Sequence, residues 1–235
     1  MRIKRIAIIS ALADELDVFK RFLTGSEKWD DVDVKLAVGG IGKVSAAAVT
    51  QKVISEFKPD VLFFTGMAGS LEKGRSIGDL GIVSACIDSD LDASGFDSSL
   101  KIGEFPFVGE RIFSSDERLV KLALGSPLKI PIFDAYIASS SIFMDFQKKL
   151  NFLEDKVPKL EEYFGGELRR PNLVDMETVG FLKAAMANSL PALAIKTVSN
   201  TLEGDSMCEY GETLMDERTR LYLELIAYII TNADL

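Results

Sequence analysis

Short apolar runs alternate with longer amphipathic segments along the chain. Short runs rich in β-branched and aromatic residues are typical of buried strands, whereas apolar residues three and four positions apart are typical of helices with one buried face. The pattern predicts strands at residues 6–9, 34–38, 61–64, 81–87, 136–140 and 192–198. It predicts helices at residues 13–23, 43–57, 146–163, 174–187 and 212–230.

This alternation predicts an α/β fold with three layers, in which a central mixed sheet lies between two layers of helices. Residues 61–64 are apolar on both faces, as expected of a central strand covered on each side. The stretch 88–99 is rich in Asp and Ser and is predicted to be a loop. The sequence contains no internal repeat, low-complexity segment or linker. Residues 1–235 are therefore expected to form a single domain.

The composition limits the chemistry, because the sequence contains no histidine. A Ser-His-Asp or Cys-His mechanism, a histidine metal site and an imidazole base are all excluded. The two cysteines, Cys86 and Cys208, are too few for a disulfide framework or a paired-cysteine zinc site. We therefore expect a cytoplasmic protein without a metal, whose acid–base chemistry falls to carboxylates, Lys, Tyr, Cys or bound water.

The charge balance concerns possible partners. With 27 basic and 36 acidic residues, the net charge of −9 argues against attraction to nucleic acid or to an anionic membrane. No apolar run approaches the ~18 residues of a membrane helix. A basic N-terminus precedes the run 6–9, as in a signal peptide, but Asp14 and Glu15 follow almost at once. The run is therefore predicted to be the first strand.

The segments that follow three predicted strands are candidates for a ligand site. Ligands of open α/β sheets collect outside the carboxyl ends of the strands. Residues 10–15, 39–43 and 65–69 occupy such ends, and the latter two are rich in glycine. Glycine lets the backbone approach a ligand closely. Neither glycine run is a Walker A loop or a complete G-x-G-x-x-G, so a dinucleotide site is not indicated.

Two later segments complete a pattern: Val-Asp-Met-Glu-Thr at 174–178 and Lys-Thr-Val-Ser-Asn at 196–200. With them the chain resembles the purine nucleosidase and nucleoside phosphorylase family, most closely the hydrolytic branch that includes the 5′-methylthioadenosine/S-adenosylhomocysteine nucleosidases. The resemblance spans nearly the whole chain through segments 10–15, 39–43, 65–69, 139–144, 174–178 and 198–200.

The resemblance implies a nucleoside phosphorylase-like fold and an enzyme that hydrolyses the N-glycosidic bond of a purine nucleoside to free base and ribose. It implies no cofactor. It also implies a homodimer in which a partner residue closes the pocket for the 5′ substituent, with region 88–107 in the corresponding place.

The resemblance also assigns roles to individual residues. Glu15 matches the catalytic acidic residue that positions and activates the attacking water. Met176 and Glu177 match the pair that holds the ribose, with the carboxylate accepting hydrogen bonds from its hydroxyls. Phe143 matches an aromatic residue that stacks on the purine, and the Met144 backbone would bind the Watson–Crick edge. The other implied substrate-binding residues line the sugar floor or the 5′ pocket or adjoin the base: Leu12, Ile41, Met67, Ala68, Gly69, Ser199 and Tyr210.

The second implied catalytic residue, Asn200, departs from the pattern of the methylthioadenosine-type nucleosidases. They carry an aspartic acid there, which donates a proton toward N7 of adenine as negative charge builds on the leaving base. Asparagine cannot transfer a proton, but its amide can donate a hydrogen bond to N7. An Asn at this position is found in relatives that act on 6-oxopurines, including futalosine hydrolases. The sequence therefore predicts a 6-oxopurine substrate such as futalosine or inosine.

Two other functions stay open on the sequence alone. A phosphorylase of this fold needs arginines at a phosphate site, but Phe64 stands where an arginine is expected, and the acidic loop 11–14 should repel phosphate. Water is therefore favoured as the nucleophile over phosphate. A catalytically weak nucleoside-binding protein is the remaining alternative, because Asn200 replaces the proton donor.

Overall fold

The computed structural model describes residues 3–23, 29, 31–104, 107, 110–164, 166–202 and 212–234. The strands are β1 (Arg5–Ser10), β2 (Asp33–Val38), β3 (Val61–Ser70), β4 (Leu80–Asp88), β5 (Ile112–Ser114), β6 (Ile132–Ser139), β7 (Glu162–Phe164), β8 (Glu167–Arg169), β9 (Leu173–Asp175) and β10 (Ala192–Asn200). The α-helices are α1 (Ala13–Leu23), α2 (Lys43–Phe57), α3 (Glu117–Leu124), α4 (Phe146–Asp155), α5 (Thr178–Ala187) and α6 (Glu212–Asn232), and a 3₁₀ turn spans Val157–Lys159.

The central sheet is mixed, as the sequence predicts. β3 pairs in parallel with β1 and β10, and β2 extends the sheet beyond β1. β4 lies between β10, which is antiparallel to it, and β6, which is parallel. β9 joins β6 to the last two residues of β3, so that β3, β10, β4, β6 and β9 form a closed ring. The carboxyl ends of β1, β3 and β10 therefore lie side by side.

Helices cover both faces of the sheet, which gives the predicted three layers. On one face α2 and α5 pack against the sheet through residues such as Ala46, Val53 and Phe181. On the other face α1, α3 and α6 pack through residues such as Phe19 and Leu225. The strands between them are buried on both sides, which accounts for their continuous apolar runs. Within the described residues, no helix is long and apolar enough to span a membrane.

Several predicted boundaries were wrong. Helix α5 begins at Thr178 instead of residue 174, because Leu173 and Val174 complete the sheet ring as part of β9. The predicted helix 146–163 ends at Asp155, and a 3₁₀ turn that contains Pro158 follows it. β3 runs on to Ser70, through residues 65–69 that were predicted to follow the strand, because β10 and β9 pair with this extension. The sequence pattern did not predict β5, α3 or the β7–β8 hairpin.

Candidate active site

A cavity of about 400 Å³ opens where the carboxyl ends of β1, β3, β9 and β10 meet. Its lining combines apolar side chains with a small set of charged and amide groups, as is usual in small-molecule sites. The lining residues are Ala11, Leu12, Glu15, Ile41, Met67, Ala68, Gly69, Ile142, Phe143, Met144, Val174, Asp175, Met176, Glu177, Lys196, Ser199 and Asn200.

The structure brings together every site residue named from the sequence except one. Leu12, Glu15, Ile41, Met67, Ala68, Gly69, Phe143, Met144, Met176, Glu177, Ser199 and Asn200 all line this cavity. Tyr210 lies outside the described residues. The individual roles assigned to these residues stay predictions.

Glu15 enters the cavity from the first turn of α1, directly after β1. Its side chain is buried, and the backbone N–H of Leu12 donates to its Oε2 atom over 3.1 Å. Burial raises the pKa of Glu15 above its ordinary value, although the Leu12 hydrogen bond and the charge of Lys196 oppose the rise. Gly66 lies beside this group, since a Cβ there would be in ordinary van der Waals contact, 3.4 Å from Oε1 of Glu15 and 3.5 Å from Nζ of Lys196.

Glu177 faces the cavity from the residue before α5. The backbone N–H of Gly42, at the start of α2, donates to its Oε1 atom over 3.1 Å. Gly42 has a φ of +93°, a backbone conformation that favours glycine. Burial is the main cause that raises the pKa of Glu177, and Lys196 opposes it. A second buried carboxylate therefore shares the cavity with Glu15.

Lys196 and Asp175 complete this charged cluster. Neither residue was assigned a role from the sequence. Lys196 is fully buried on β10, and its Nζ lies 2.9 Å from Oδ2 of Asp175 and 3.9 Å from Oε2 of Glu177. The contact with Asp175 is an ion pair at short distance and not an aligned hydrogen bond. Burial lowers the pKa of Lys196, but Asp175, Glu177 and Glu15 outweigh it, and the net pKa is raised.

Asp175 is held in place by its neighbours as well as by Lys196. The Ser139 hydroxyl donates to its Oδ1 over 2.6 Å, and the Thr178 backbone N–H donates to its Oδ2 over 2.9 Å. A signal for this cluster was present in the sequence: a lysine inside the apolar run 192–198 needs a buried partner, because an unpaired buried charge is costly.

Asn200 reaches the cavity because of a bulge at the end of β10. The register with β3 shifts between Val198, which pairs with Ala68, and Asn200, which pairs with Gly69. Successive residues of a regular strand point to opposite faces, but the bulge lets both Ser199 and Asn200 line the cavity. A Cβ at Gly69 would lie only 2.6 Å from Oδ1 of Asn200, so a side chain there would displace the carboxamide.

The loop that carries Phe143 and Met144 forms another wall of the cavity. Phe143 is about half exposed, whereas Met144 is largely buried. Asp90 holds the preceding residues by accepting hydrogen bonds from the Ser140 hydroxyl, over 3.2 Å, and from the Ser141 backbone N–H. An aromatic side chain thus lines the cavity and is partly open to solvent.

This arrangement provides groups that can take part in hydrolysis. Three buried carboxylates, those of Glu15, Asp175 and Glu177, and one buried lysine share the cavity with the amide of Asn200. A carboxylate can accept a proton from water, and an amide N–H can stabilise negative charge on a leaving group. Among the described residues, no group of three or more Cys, Asp or Glu could hold a metal ion.

Known proteins resemble this chain in sequence and in fold. The family model described as the phosphorylase superfamily matches residues 4–232. The 5′-methylthioadenosine/S-adenosylhomocysteine nucleosidase of Bacillus pumilus (strain SAFR-032) is 26% identical over 227 residues, which cover 89% of this chain and 91% of that protein.

Solved structures share the fold. The nucleosidase of the same name from Campylobacter jejuni superposes with a TM-score of 0.78 at 23% identity, covering 97% of this chain and 98% of that one. The futalosine hydrolase of Helicobacter pylori strain 26695 superposes with a TM-score of 0.80 at 18% identity, covering 98% and 99%. With its family model matched over almost the full length, the chain belongs to the phosphorylase superfamily.

Proposed function

We propose that this protein is a nucleosidase that hydrolyses the N-glycosidic bond of a purine nucleoside. The observation that carries the proposal is the placement of buried Glu15 and Glu177 in one cavity with Asn200. Glu15 takes a proton from a water molecule, whose oxygen bonds to C1′ of the ribose. The bond between C1′ and the base breaks, and its electron pair leaves with the purine.

Glu177 and Lys196 support this step from the sugar side. The Glu177 carboxylate accepts hydrogen bonds from the ribose hydroxyls, which hold the sugar while positive charge develops on it. Lys196 lies within 3.9 Å of Glu177 and favours the ionised form of both glutamates. Asn200 donates its amide N–H to the base, where negative charge accumulates.

Water is a better nucleophile than phosphate for this cavity. Lys196 is the single cation among the described residues that line it, and Lys196 is already engaged by Asp175. The nearby glutamates would repel a phosphate dianion at short range. Hydrolysis should therefore proceed at the same rate with and without added phosphate.

We propose further that the substrate carries a 6-oxopurine, such as inosine or futalosine. The neutral amide of Asn200 can bind N7 and the neighbouring O6 without bringing a charge into the cavity. An ionised aspartate at position 200 would be repelled by the lone pairs of O6. A site built to hydrogen-bond one exocyclic group can reject the analogue by up to ~10⁴-fold, because buried polar groups are left unpaired.

The test measures release of free base from inosine, guanosine, adenosine, methylthioadenosine and futalosine. We expect higher kcat/KM for a 6-oxopurine nucleoside, and we expect Asn200→Asp to shift preference toward 6-aminopurines and to make turnover more dependent on pH between pH 5 and 9. Asn151→Asp, an exposed change on α4, is the matched control and should leave the preference unchanged. Wild-type preference for methylthioadenosine would contradict the 6-oxopurine assignment, and absence of base release from every nucleoside would contradict the nucleosidase itself.

We also propose that the protein is a homodimer in the cytoplasm. Apolar side chains near the cavity mouth are exposed, including Ile41, Ile142 and, in the first turn of α2, Val44. Exposed apolar surface beside a site is typical of an interface. A second copy would cover these side chains and complete the end of the pocket that receives the 5′ substituent.

A further inference from the structure

A lysine is buried behind the wall of the cavity that carries Asn200. Lys149, on α4, is fully buried although it does not line the cavity. Its Nζ donates over 2.6 Å to the backbone carbonyl of Thr201, the residue after Asn200. Burial of an ammonium group is costly, and methionine could fill similar space without that cost. Packing alone therefore does not explain why a lysine occupies this buried position.

The side chains of Lys149 and Asn200 converge on the same small region. A Cβ placed on Gly69 would lie 2.6 Å from Oδ1 of Asn200 and 3.5 Å from Cδ of Lys149. Both side chains thus pack over this glycine of β3. Lys149 bonds the chain just beyond the bulge, where β10 has already left its regular register with β3. Regular sheet pairing does not fix the backbone there.

We propose that Lys149 is a positioning residue for Asn200, and this inference rests on the proposed role of Asn200 toward the leaving base. The hydrogen bond from Lys149 to the Thr201 carbonyl fixes the backbone at the end of β10. The packing of Lys149 over Gly69 limits the directions open to the Asn200 carboxamide. Together these contacts hold the amide N–H toward the base. Lys149 acts through Asn200 and does not touch the substrate.

The first test uses leaving groups that differ in how much they depend on a hydrogen bond from Asn200. Lys149→Met removes the donor and keeps similar volume. Outer partners of metal ligands typically contribute 10–100-fold to activity, and we expect a loss of the same order here in kcat/KM for the nucleoside that the wild type cleaves fastest. The loss should be smaller than threefold for 4-nitrophenyl β-D-riboside, whose leaving group needs no hydrogen bond from Asn200. Equal losses on both substrates would overturn the inference, because they would indicate general damage to the site.

A double-mutant cycle tests whether Lys149 acts through Asn200. Lys149→Met added to Asn200→Ala should cost nothing further with the same nucleoside, whereas a full additional loss would overturn the inference. If Lys149→Met does not fold, Lys149→Leu serves in its place, since it also lacks a hydrogen-bond donor and is apolar. Lys149→Arg should restore part of the activity. The matched control, Lys121→Met on the surface of α3, should behave like the wild type.

The two proposals fail in different ways. Normal turnover of the nucleoside by Asn200→Ala would show that the proposed role of Asn200 is wrong. A large loss in Asn200→Ala together with normal turnover by Lys149→Met would overturn the inference about Lys149 alone.

Discussion

Glu15 illustrates how function and stability oppose each other at one residue. Burial raises the pKa of Glu15, which makes its carboxylate a stronger base than an exposed glutamate. The same burial makes the ionised form costly in the folded state. The proposed general base is therefore a residue whose ionised form destabilises the fold.

Glu15→Gln is expected to abolish most turnover and to stabilise the protein. Loss of a general base typically lowers the rate ~10²–10⁴-fold, while nucleoside binding should persist. The folded-state pKa of Glu15 lies above the unfolded value, so wild-type stability falls as pH rises from the unfolded pKa through the folded pKa. Glutamine removes this loss of stability, which amounts to about 1.4 kcal/mol for each pH unit by which the pKa of Glu15 is raised.

The measurement is the free energy of unfolding of both proteins between pH 4 and pH 8, together with kcat and the affinity for nucleoside. The advantage of Glu15→Gln should increase with pH across that window. Asp14→Asn, an exposed change one residue earlier, is the control. A stability difference that is independent of pH, or normal turnover by Glu15→Gln, would contradict this account.

Among individual residues, the sequence located the site residues near the ends of strands and helices better than the site residue inside a strand. Glu15, Glu177 and Asn200 lie at element ends, where a resemblance in short motifs could locate them. Lys196 lies inside β10, and its partner Asp175 ends β9, a strand that the sequence pattern did not predict. Local patterns do not contain that pairing.

At the scale of elements, the contact between α2 and α5 positions Glu177. A Cβ on Gly180, in the first turn of α5, would lie 2.0 Å from the carbonyl oxygen of Lys43, at the start of α2. The helix starts can approach this closely because Gly180 has no side chain. The approach brings the backbone N–H of Gly42 to Glu177.

Gly180→Ala is therefore expected to push the two helix starts apart. Overpacking typically costs about 1–3 kcal/mol, and this contact with rigid backbone should be at or above the upper end of that range. The bond from Gly42 to Glu177 should weaken as well, so that KM for the nucleoside rises. Chemical denaturation and steady-state kinetics measure the two effects. Gly95→Ala, where a Cβ would meet nothing within 4 Å, should change neither, and an unperturbed Gly180→Ala would show that α5 can shift freely.

The elements themselves could be predicted to different extents. Long periodic helices such as α2 and apolar strands such as β1 and β10 follow directly from local pattern. The strand β9 is only three residues long and exists because it pairs with β6 and β3. Pairing of that kind depends on tertiary contacts, which explains why the sequence indicated a longer helix there.

At the scale of the whole molecule, the exposed apolar side chains near the cavity mouth predict self-association. Val44 is 83% exposed and Ile41 is 60% exposed. Val44→Asp should shift the protein from dimer toward monomer in light scattering at micromolar concentration, because a charge would be buried in the interface. Leu168→Asp, at an exposed apolar position on β8, is the control and should leave the mass unchanged. A monomeric wild type would contradict the proposed dimer.

The bulge at the end of β10 also has an evolutionary consequence. Ser199 and Asn200 reach the cavity from a partly exposed position, beyond the fully buried part of the strand. Codons for asparagine and aspartate differ by a single nucleotide, and the two side chains are nearly the same size. A change between them at this place would leave the interior of the protein untouched. With the proposed role of Asn200, substrate choice would diverge between descendants of one ancestral gene in a single mutational step, without compensating changes elsewhere.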